Sequence, residues 1–382
     1  MKTYKFKLYR SKRNKYLNKL LSTACDIYNF SLSYKKNLYA NDKISISKYD
    51  LQKVLTQLKD TDGYQYWNDL GSQVIQDITD RIYKGYNLFF LNLKTKGSRK
   101  VSPPKFKKKR KYKSITFKQA GYKLLLGNSI KIGKKIFKYH KSREVLGSIK
   151  TLTIKKNPLG EYFIYITTDY KEIIQFSTLS GNMMGFDFGL KNFLTGSDGY
   201  VIESPLFFNK EIKRISKLSK KVSKKKKGSN NRKRALLNLA RAHEDIKNKR
   251  EDFHWKLSNE IIFLYDYIFL ENLNLHEMKV RFGKKISDLG FGDFVKKLEY
   301  LCLKYSKNLI KINRWYPSSK RCNNCGYINE ELKLKDRNWQ CKECRAFHDR
   351  DINAAKNILE EGKKIIVRAL TIKIDTVIPN EN

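Results

Sequence analysis

"MMGFDFGLKNFLTGSDGYVI", Met183 to Ile202, is the stretch on which the fold turns. Met183 to Phe188 is an apolar run of strand length interrupted by a single acid, Asp187. Gly189-Leu190-Lys191-Asn192 then supplies a turn, and a second strand starts at Phe193. An acid inside an apolar strand is costly to bury unless it is paired or metal-bound. Taken alone, Asp187 reads equally well as a turn aspartate. The same pattern recurs in "YIFLENLNL", where Glu271 ends the apolar strand Tyr267 to Leu270. A third acid follows in "HDRDINAAKN", His348 to Asn357. Asp351 opens a helix from Asp351 to Leu359, in the first turn, where the helix dipole favours an anion, and Ala354, Ala355 and Ile358 pack inward. Asp349 is offset by two residues, about 200° around a helix, so it cannot face the same site and reads as the cap. Asp187, Glu271 and Asp351 are therefore expected to converge across two strands and a helix. Carboxylates suit Mg²⁺ or Mn²⁺, and two such ions can activate a water while stabilising the leaving oxygen of a phosphodiester. These residue types point to a nuclease.

Four of the six cysteines are paired. Cys322-x-x-Cys325 and Cys341-x-x-Cys344 leave fifteen residues between the pairs, the spacing of a zinc ribbon, and the segment between them can form a short hairpin. The alternative, two disulfides, is disfavoured in a cytosolic chain. His348, four residues past Cys344, is a possible ligand, but four thiolates already complete a tetrahedron, so a place beside the following carboxylates is expected. Cys25 and Cys302 stand alone in apolar surroundings and read as core thiols.

The 382 residues suggest two or three domains. Lys and Arg number 81 against 37 Asp and Glu, a net charge of +44, and such an excess repels itself unless a polyanion neutralises it. Nucleic acid is the natural partner. A membrane also attracts basic chains, but apolar runs such as "IIFLYDYIFL" (Ile261 to Leu270) are short, carry Asp266, and fall below the ~18–20 residues a span needs. "MKTYKFKLYRSK" at the start has no apolar signal core, so a cytoplasmic, nucleoid-associated protein is expected.

The first half is read as strands carrying helices. Thr3 to Arg10 alternates like an edge strand. Leu17 to Tyr39 has apolar residues at helical spacing (Leu20, Leu21, Ala24, Ile27, Tyr28, Leu32), and a second helix runs from about Ser72 to Leu93 with Ile75, Ile78, Ile82, Tyr86 and Phe89 on one face. A shorter helix lies near Ile46 to Leu58. After the basic run Lys96 to Lys113 come short strands, including Ser129 to Ile136 and a hairpin turning at Asn157-Pro158-Leu159-Gly160. A barrel-like domain with a helical insertion is expected for residues 1 to about 175. Tyr112, Phe117 and Tyr122, interleaved with the charges, could stack on bases or belong to the core.

Between the first two acids, "SKLSKKVSKKKKGSNNRKRALLNLARAHEDIKNKREDFHWKLSNEI" has the look of two helices joined at Gly228-Ser229-Asn230-Asn231. Such a lysine run is usually a solvated face; collectively its charge suits a phosphate backbone.

The succession of GFDFGLKN, FLENLNL, the paired-cysteine ribbon and HDRDINAAKN resembles the RuvC-type nuclease of TnpB proteins, which is similar to type V CRISPR effectors and Fanzor proteins. The resemblance is specific over about residues 180–360. It implies an α/β nuclease of RNase H-like (RuvC) fold, with an inserted zinc ribbon, preceded by a β-barrel-like wedge domain carrying a helical recognition insertion. The segments it implies are 1–15 (first wedge strand), 16–95 (recognition helices), 96–178 (rest of the wedge), 179–315 and 348–362 (nuclease) and 316–347 (ribbon), with 363–382 an unassigned tail. Asp187, Glu271 and Asp351 would be the catalytic, Mg²⁺-binding acids and Cys322, Cys325, Cys341 and Cys344 the zinc ligands. A guide RNA from the transposon end would be the partner, with target double-stranded DNA cut next to a short motif and the protein a monomer. Candidate nucleic-acid contacts are Gln76, Lys107, Lys109, Lys224, Lys226 and Arg232. Since guided relatives that have lost an acid bind without cutting, the three acids favour an active enzyme. A guided regulator without cleavage and an unguided structure-specific nuclease are the other two classes.

Overall fold

The structure, a computed structural model, describes residues 1–95, 101–171, 179–333 and 335–377, the side chains of 281 and 369–377 excepted. Part of the basic run, the expected junction near 175 and the last residues of the tail lie outside these. The chain divides into two compact units, Met1–Glu172 and Ile173–Asn382.

The first unit opens with strand β1 (Lys2–Lys7), then helices α1 (Asn14–Asp42), α2 (Lys48–Leu58) and α3 (Ser72–Lys94), then strands β2 (Ser114–Phe117), β3 (Tyr122–Leu125), β4 (Ser129–Ile132), β5 (Lys135–Lys138), β6 (Ile149–Lys156) and β7 (Tyr162–Thr168). An antiparallel sheet runs in the order β1-β7-β6-β2, with β1 on its edge, and β3-β4-β5 form a three-stranded meander. Leu8 bridges Tyr139, stitching the two sheets at one corner. Alternation sets the inner face of β1: Tyr4 and Phe6 point to the same core as Leu17, Leu20, Ala24 and Ile27 of α1 and Ile75, Ile78 and Ile82 of α3. Each such fully buried Leu, Ile or Phe contributes about 1.5–3 kcal/mol. Tyr112 and Phe117 lie in this core and Tyr122 packs against it, so these aromatics are structural. The single strand expected over Ser129 to Ile136 is instead the β4–β5 hairpin. Gly133 takes a left-handed φ of 53° between them, a conformation glycine adopts without strain, and period-2 alternation alone does not reveal a reversal that tight.

The second unit contains β8 (Met183–Phe188), β9 (Asn192–Gly196), β10 (Val201–Glu203), a short helix α4 (Phe207–Lys210), α5 (Ile212–Ser223), α6 (Asn230–Leu264), β11 (Tyr267–Glu271), α7 (Leu275–Leu289), α8 (Phe291–Lys304), β12 (Asn308–Ile312), the ribbon strands β13 (Asn338–Gln340) and β14 (Phe347–Asp349), and α9 (Arg350–Val377). Five strands form one sheet in the order β10-β9-β8-β11-β12. β10, β9 and β8 are antiparallel neighbours, while β8, β11 and β12 are parallel.

Side chains alternate across this sheet. Met184, Phe186, Ile268 and Leu270 enter one core with Leu257, Ile261, Phe291, Phe294 and Leu298 of α6 and α8. Gly185, Asp187, Phe269 and Glu271 are offset by one residue and so face the other way, towards α9. That helix lies close on the sheet because two glycines permit it. A Cβ on Gly185 would sit 2.4 Å from the Ala355 carbonyl oxygen, and one on Gly362 would sit 2.0 Å from the Phe269 ring. α9 is far longer than the expected Asp351 to Leu359. Ile365 and Ile366 continue its apolar contact with the sheet, so the tail from 363 is helix as far as Val377. The acid inside "IIFLYDYIFL" is also explained. Asp266, 1% exposed, accepts bonds from the Ser180 hydroxyl (2.9 Å) and the Gly181 N–H (2.7 Å) and pairs with Lys307 at 3.1 Å. Losing one partner of such a buried pair costs about 3–5 kcal/mol.

Candidate active site and metal centre

Strand register places the first two acids. Phe186 pairs with Leu270 in the parallel β8–β11 ladder, so Asp187 and Glu271 are each the next residue, on one face of adjacent strands at their C-terminal ends. Asp351, in the first turn of α9, comes to the same place because Gly185, two residues before Asp187, is where the helix touches the strand. All three line one cleft of about 1040 Å³. Its walls carry Arg314, Trp315, Arg337, Arg350, Lys191 and Lys285. Asp349 lies outside that cleft's lining. Its Oδ1 accepts the N–H groups of Asp351 (2.9 Å) and Ile352 (3.0 Å), so it satisfies two orphan donors at the start of α9.

Burial raises the Asp187 pKa well above the usual carboxylate range, and the nearby charges of Glu271 and Asp351 push it further. Glu271 is raised by burial too, and the hydroxyl of Ser318, which donates to its Oε1, opposes that shift. Three carboxyls lining one cleft, with Asp187 and Glu271 deeply buried there, form a site that a multivalent cation would relieve, and an all-oxygen donor set is the one hard divalent ions prefer. Arg337 supplies positive charge at one edge, its Nη1 lying 3.3 Å from both carboxylate oxygens of Asp351.

The paired cysteines are equally explicit. Their four sulfurs lie within 4.8 Å of one another, with Cys322 to Cys344 and Cys325 to Cys341 both at 3.6 Å. A tetrahedral zinc with Zn–S bonds near 2.3 Å requires sulfurs ~3.8 Å apart, so the cluster fits that ion closely. Each pair sits in the same turn. Gly326 N–H donates to the Cys322 carbonyl and Arg345 N–H to that of Cys341, and Gly326 (φ 86°) and Arg345 (φ 58°) both adopt the left-handed conformation. His348 departs from expectation. It lies in the ribbon rather than beside the carboxylates, its ring 4.8 Å from that of Trp339 and its Nε2 3.0 Å from the Cys322 sulfur. The cause is strand alternation: His348 pairs across β13–β14 with Trp339, which turns it to the face opposite Asp349.

Ribbon and acids are tied together by residues the sequence pattern did not single out. Asn357 donates to the carbonyls of Ser318 (2.8 Å) and Arg321 (2.6 Å), and Asn353 donates to Arg321 (2.8 Å) and accepts from the Asn323 N–H (3.0 Å). Both asparagines are 2% exposed. Two amides spaced i, i+4 on the buried face of a helix are the signal that was available, since a polar side chain there must have partners.

The proposed nucleic-acid contacts fare differently from one another. Lys224 and Lys226 are exposed at the end of α5. Arg232 donates to the carbonyls of Val222 (2.7 Å) and Lys225 (2.9 Å), closing the turn between α5 and α6. Lys107 lies 4.4 Å from the Tyr28 ring centroid, and Lys109 pairs with Asp26 at 2.9 Å. Gln76 is half-buried on α3, in a small cleft with Tyr49, Gln52 and Lys53.

Comparison with known proteins finds two family matches, which together cover most of residues 167–358. Residues 167–281 fit the probable-transposase family OrfB_IS605, and residues 291–358 fit the TNB domain of Cas12f1-like proteins. A Streptomyces pristinaespiralis protein named "Putative RNA-guided DNA endonuclease" is 27% identical over 88% of this chain and 83% of its own length. InsQ of Escherichia coli K12, of the same description, is 25% identical over 82% and 80%. A mimivirus TnpB-like protein, L79, is 33% identical over 32% of this chain and 24% of its own. Two solved structures share the fold: the Cas12f1–sgRNA–target DNA complex (TM-score 0.55, 15% identity, 91% of this chain and 83% of that one) and the mini-RNA-guided endonuclease CRISPR-Cas_phi3 (0.54, 10%, 94% and 92%).

Proposed function

We propose that this chain, a relative of the TnpB proteins, is an RNA-guided DNA endonuclease of insertion-sequence type that hydrolyses both strands of its target at one RuvC-like site. The observation that carries this is the convergence of Asp187, Glu271 and Asp351 on one cleft, in the unit that the transposase and TNB families match. The sheet order, with one helix crossing the face that bears the acids, supports an RNase H-like assignment. Within this reading residues 179–315 and 348–362 form the nuclease and 316–347 a zinc ribbon. Residues 1–15 and 96–178 form a wedge domain and 16–95 a recognition insertion that reads the target-adjacent motif.

Asp187, Glu271 and Asp351 are the residues that would hold Mg²⁺ or Mn²⁺. Such ions would supply Lewis acidity for activating a water and for stabilising the leaving oxygen. The chain's own residues do the positioning. Ser318 fixes the rotamer of Glu271, the first turn of α9 presents Asp351, and the cleft's arginines and lysines hold phosphate oxygens. Cys322, Cys325, Cys341 and Cys344 would hold Zn²⁺ and so fix the loop that carries Ser318. The net charge of +44 fits a guide RNA and its hybrid gripped by the backbone, with base pairing reading the sequence. We place the protein in a prokaryotic cytoplasm, at the nucleoid, as a monomer.

The test is to purify the chain expressed with its flanking DNA, compare absorbance at 260 and 280 nm, and sequence any RNA recovered. Target plasmid is then incubated with and without Mg²⁺. Co-purifying RNA and Mg²⁺-dependent linearisation of the matching plasmid are expected. Cutting without RNA makes the protein an unguided nuclease. Tight guided binding without cutting makes it a regulator.

A further inference from the structure

We infer that Trp315 is a stacking platform for an unpaired base, holding the strand at the mouth of the acidic cleft. The inference deepens the proposed nuclease activity and rests on it for the identity of the strand.

Three of the chain's four tryptophans are covered to a greater degree: Trp67 is 1% exposed, Trp339 6% and Trp255 39%. Trp315 is 81% exposed. An indole left in water forgoes the largest apolar burial any side chain offers, so its position calls for a partner. That position is the rim of the cleft floored by Asp187, Glu271 and Asp351, next to Arg314. Its backbone is fixed. Trp315 N–H donates to the side chain of Asn313 (2.9 Å) and Tyr316 N–H to the Asn313 carbonyl (3.2 Å). Three residues on, Ser318 donates to Glu271 and its carbonyl receives Asn357 of α9. The ring is thus anchored, by a short stretch of ordered chain, to two of the elements that carry the acids. Phe282, 43% exposed, also lines the cleft.

An acidic floor, cations on the walls and an exposed aromatic at the rim match the phosphates and the base of a nucleotide strand. The scissile phosphate would lie at the floor, where the three acids would hold its metal, neighbouring phosphates at the cations, and a base on the ring. Charge complementarity selects a polyanion over a protein partner, since the chain carries 81 Lys and Arg. Stacking further requires the strand to be unpaired there, because a duplex presents base edges and buries base faces. Every base has a face, so Trp315 would hold the strand irrespective of sequence and leave specificity to the guide.

The test uses the full chain in Ca²⁺, which supports binding without turnover, and a 12-nucleotide oligothymidine carrying one 2-aminopurine. Wild type, Trp315→Ala, Trp315→Leu and Trp315→Phe are compared. Trp315→Ala and Trp315→Leu are expected to weaken binding roughly 10- to 100-fold and to lose the 2-aminopurine quench, while Trp315→Phe restores most of both. All four should melt together, because the ring packs on little of the protein. Equal affinities, or a leucine variant as good as phenylalanine, would overturn the stacking role. A parallel single-turnover cleavage assay in Mg²⁺ separates the two claims. A wild type that never cuts yet binds through Trp315 defeats the nuclease reading alone. Wild type and Trp315→Ala that cut equally and bind equally defeat this one alone.

Discussion

The four thiols and the three carboxylates of the second unit are assembled in opposite ways. The thiols come from two tight turns in one short segment, Cys322 and Cys344 being 22 residues apart, and each turn orients its own pair. The carboxylates come from two strands and a helix spread through the unit, and no single turn orients them together. Their geometry depends on β-strand register, on the glycines that let α9 settle, and on Ser318, which the ribbon's own loop delivers to Glu271. A local site tolerates change elsewhere in the chain; a dispersed one inherits every error in packing.

The largest effect expected from this contrast is at the carboxylates. Asp187→Ala, Glu271→Ala and Asp351→Ala should each reduce plasmid cleavage by at least about a thousandfold, while gel shifts show guided DNA binding unchanged. Ser318→Ala removes only the hydroxyl that holds Glu271 and should cost about 10- to 100-fold, the usual toll of an outer partner of a ligand. Retained cutting by any of the three alanine variants removes that residue from the site.

Next comes the ribbon. Cys322→Ser should abolish stoichiometric zinc by elemental analysis and open residues 316–347 to limited proteolysis, a local destabilisation of several kcal/mol. The contrast predicts that damage travels one way. Ribbon loss frees Ser318 and Arg337 and should depress cleavage, whereas Asp187→Ala should leave zinc content at wild-type level. Zinc-free wild-type protein, or a carboxylate variant that sheds zinc, breaks the asymmetry.

The same contrast governs what the sequence made legible. Cys-x-x-Cys spacing is a local rule, so the ribbon was readable without a fold. Asp187 and Glu271 were readable because each interrupts or ends an apolar run, where an acid is out of place, and Asp351 because it opens a helix with an inward apolar face. Their partners were not. Ser318, Arg337, Asn353 and Asn357 have ordinary local surroundings and acquire roles only when the ribbon docks on α9. His348 was misplaced because four thiolates looked sufficient and its neighbours in sequence are acids, whereas strand alternation turns it to the other face. The β4–β5 hairpin was missed because Gly133-Lys134 is a short turn signal inside an otherwise continuous alternation. Helix α9 was cut short because its later turns are charged and half-exposed, and only the sheet shows which of their residues are covered.

The far face of the sheet sharpens the comparison through pH. His254 is 1% exposed, its Nε2 2.9 Å from the Leu289 carbonyl, and burial lowers its pKa from 6.5 to about 4. With the folded value below the unfolded one, the unfolded chain binds more protons between those limits. Stability is fully present above pH 6.5 and is lost as pH falls towards 4. A shift of that size sets an upper bound of ~3 kcal/mol. Urea midpoints at pH 7 and pH 5 should therefore fall further for wild type than for His254→Gln, which keeps a donor for Leu289 without the proton uptake. Parallel decline in both would show that the histidine does not carry the acid sensitivity.

The smallest effect is the most discriminating, because it concerns two aspartates separated by a single residue. Asp351 lines the cleft with Arg337 on its carboxylate, while Asp349 caps α9 by accepting two backbone N–H groups. A cap of this kind is worth about 1 kcal/mol, and the helix it serves is held mainly by its buried face, where Ala354, Ala355 and Ile358 meet the sheet. Asp349→Ala should thus lower the melting temperature by about 2–4 °C and leave cleavage within a factor of about three. Asp349→Asn, which still accepts both bonds, should be indistinguishable from wild type. Asp351→Asn should instead lose cleavage, since an amide carbonyl is a weaker ligand for a hard cation than a carboxylate. If Asp349→Asn is as inactive as Asp351→Asn, the carboxylate at 349 does more than cap, and the division between a locally built helix end and a dispersed metal site fails at the one point where the two adjoin.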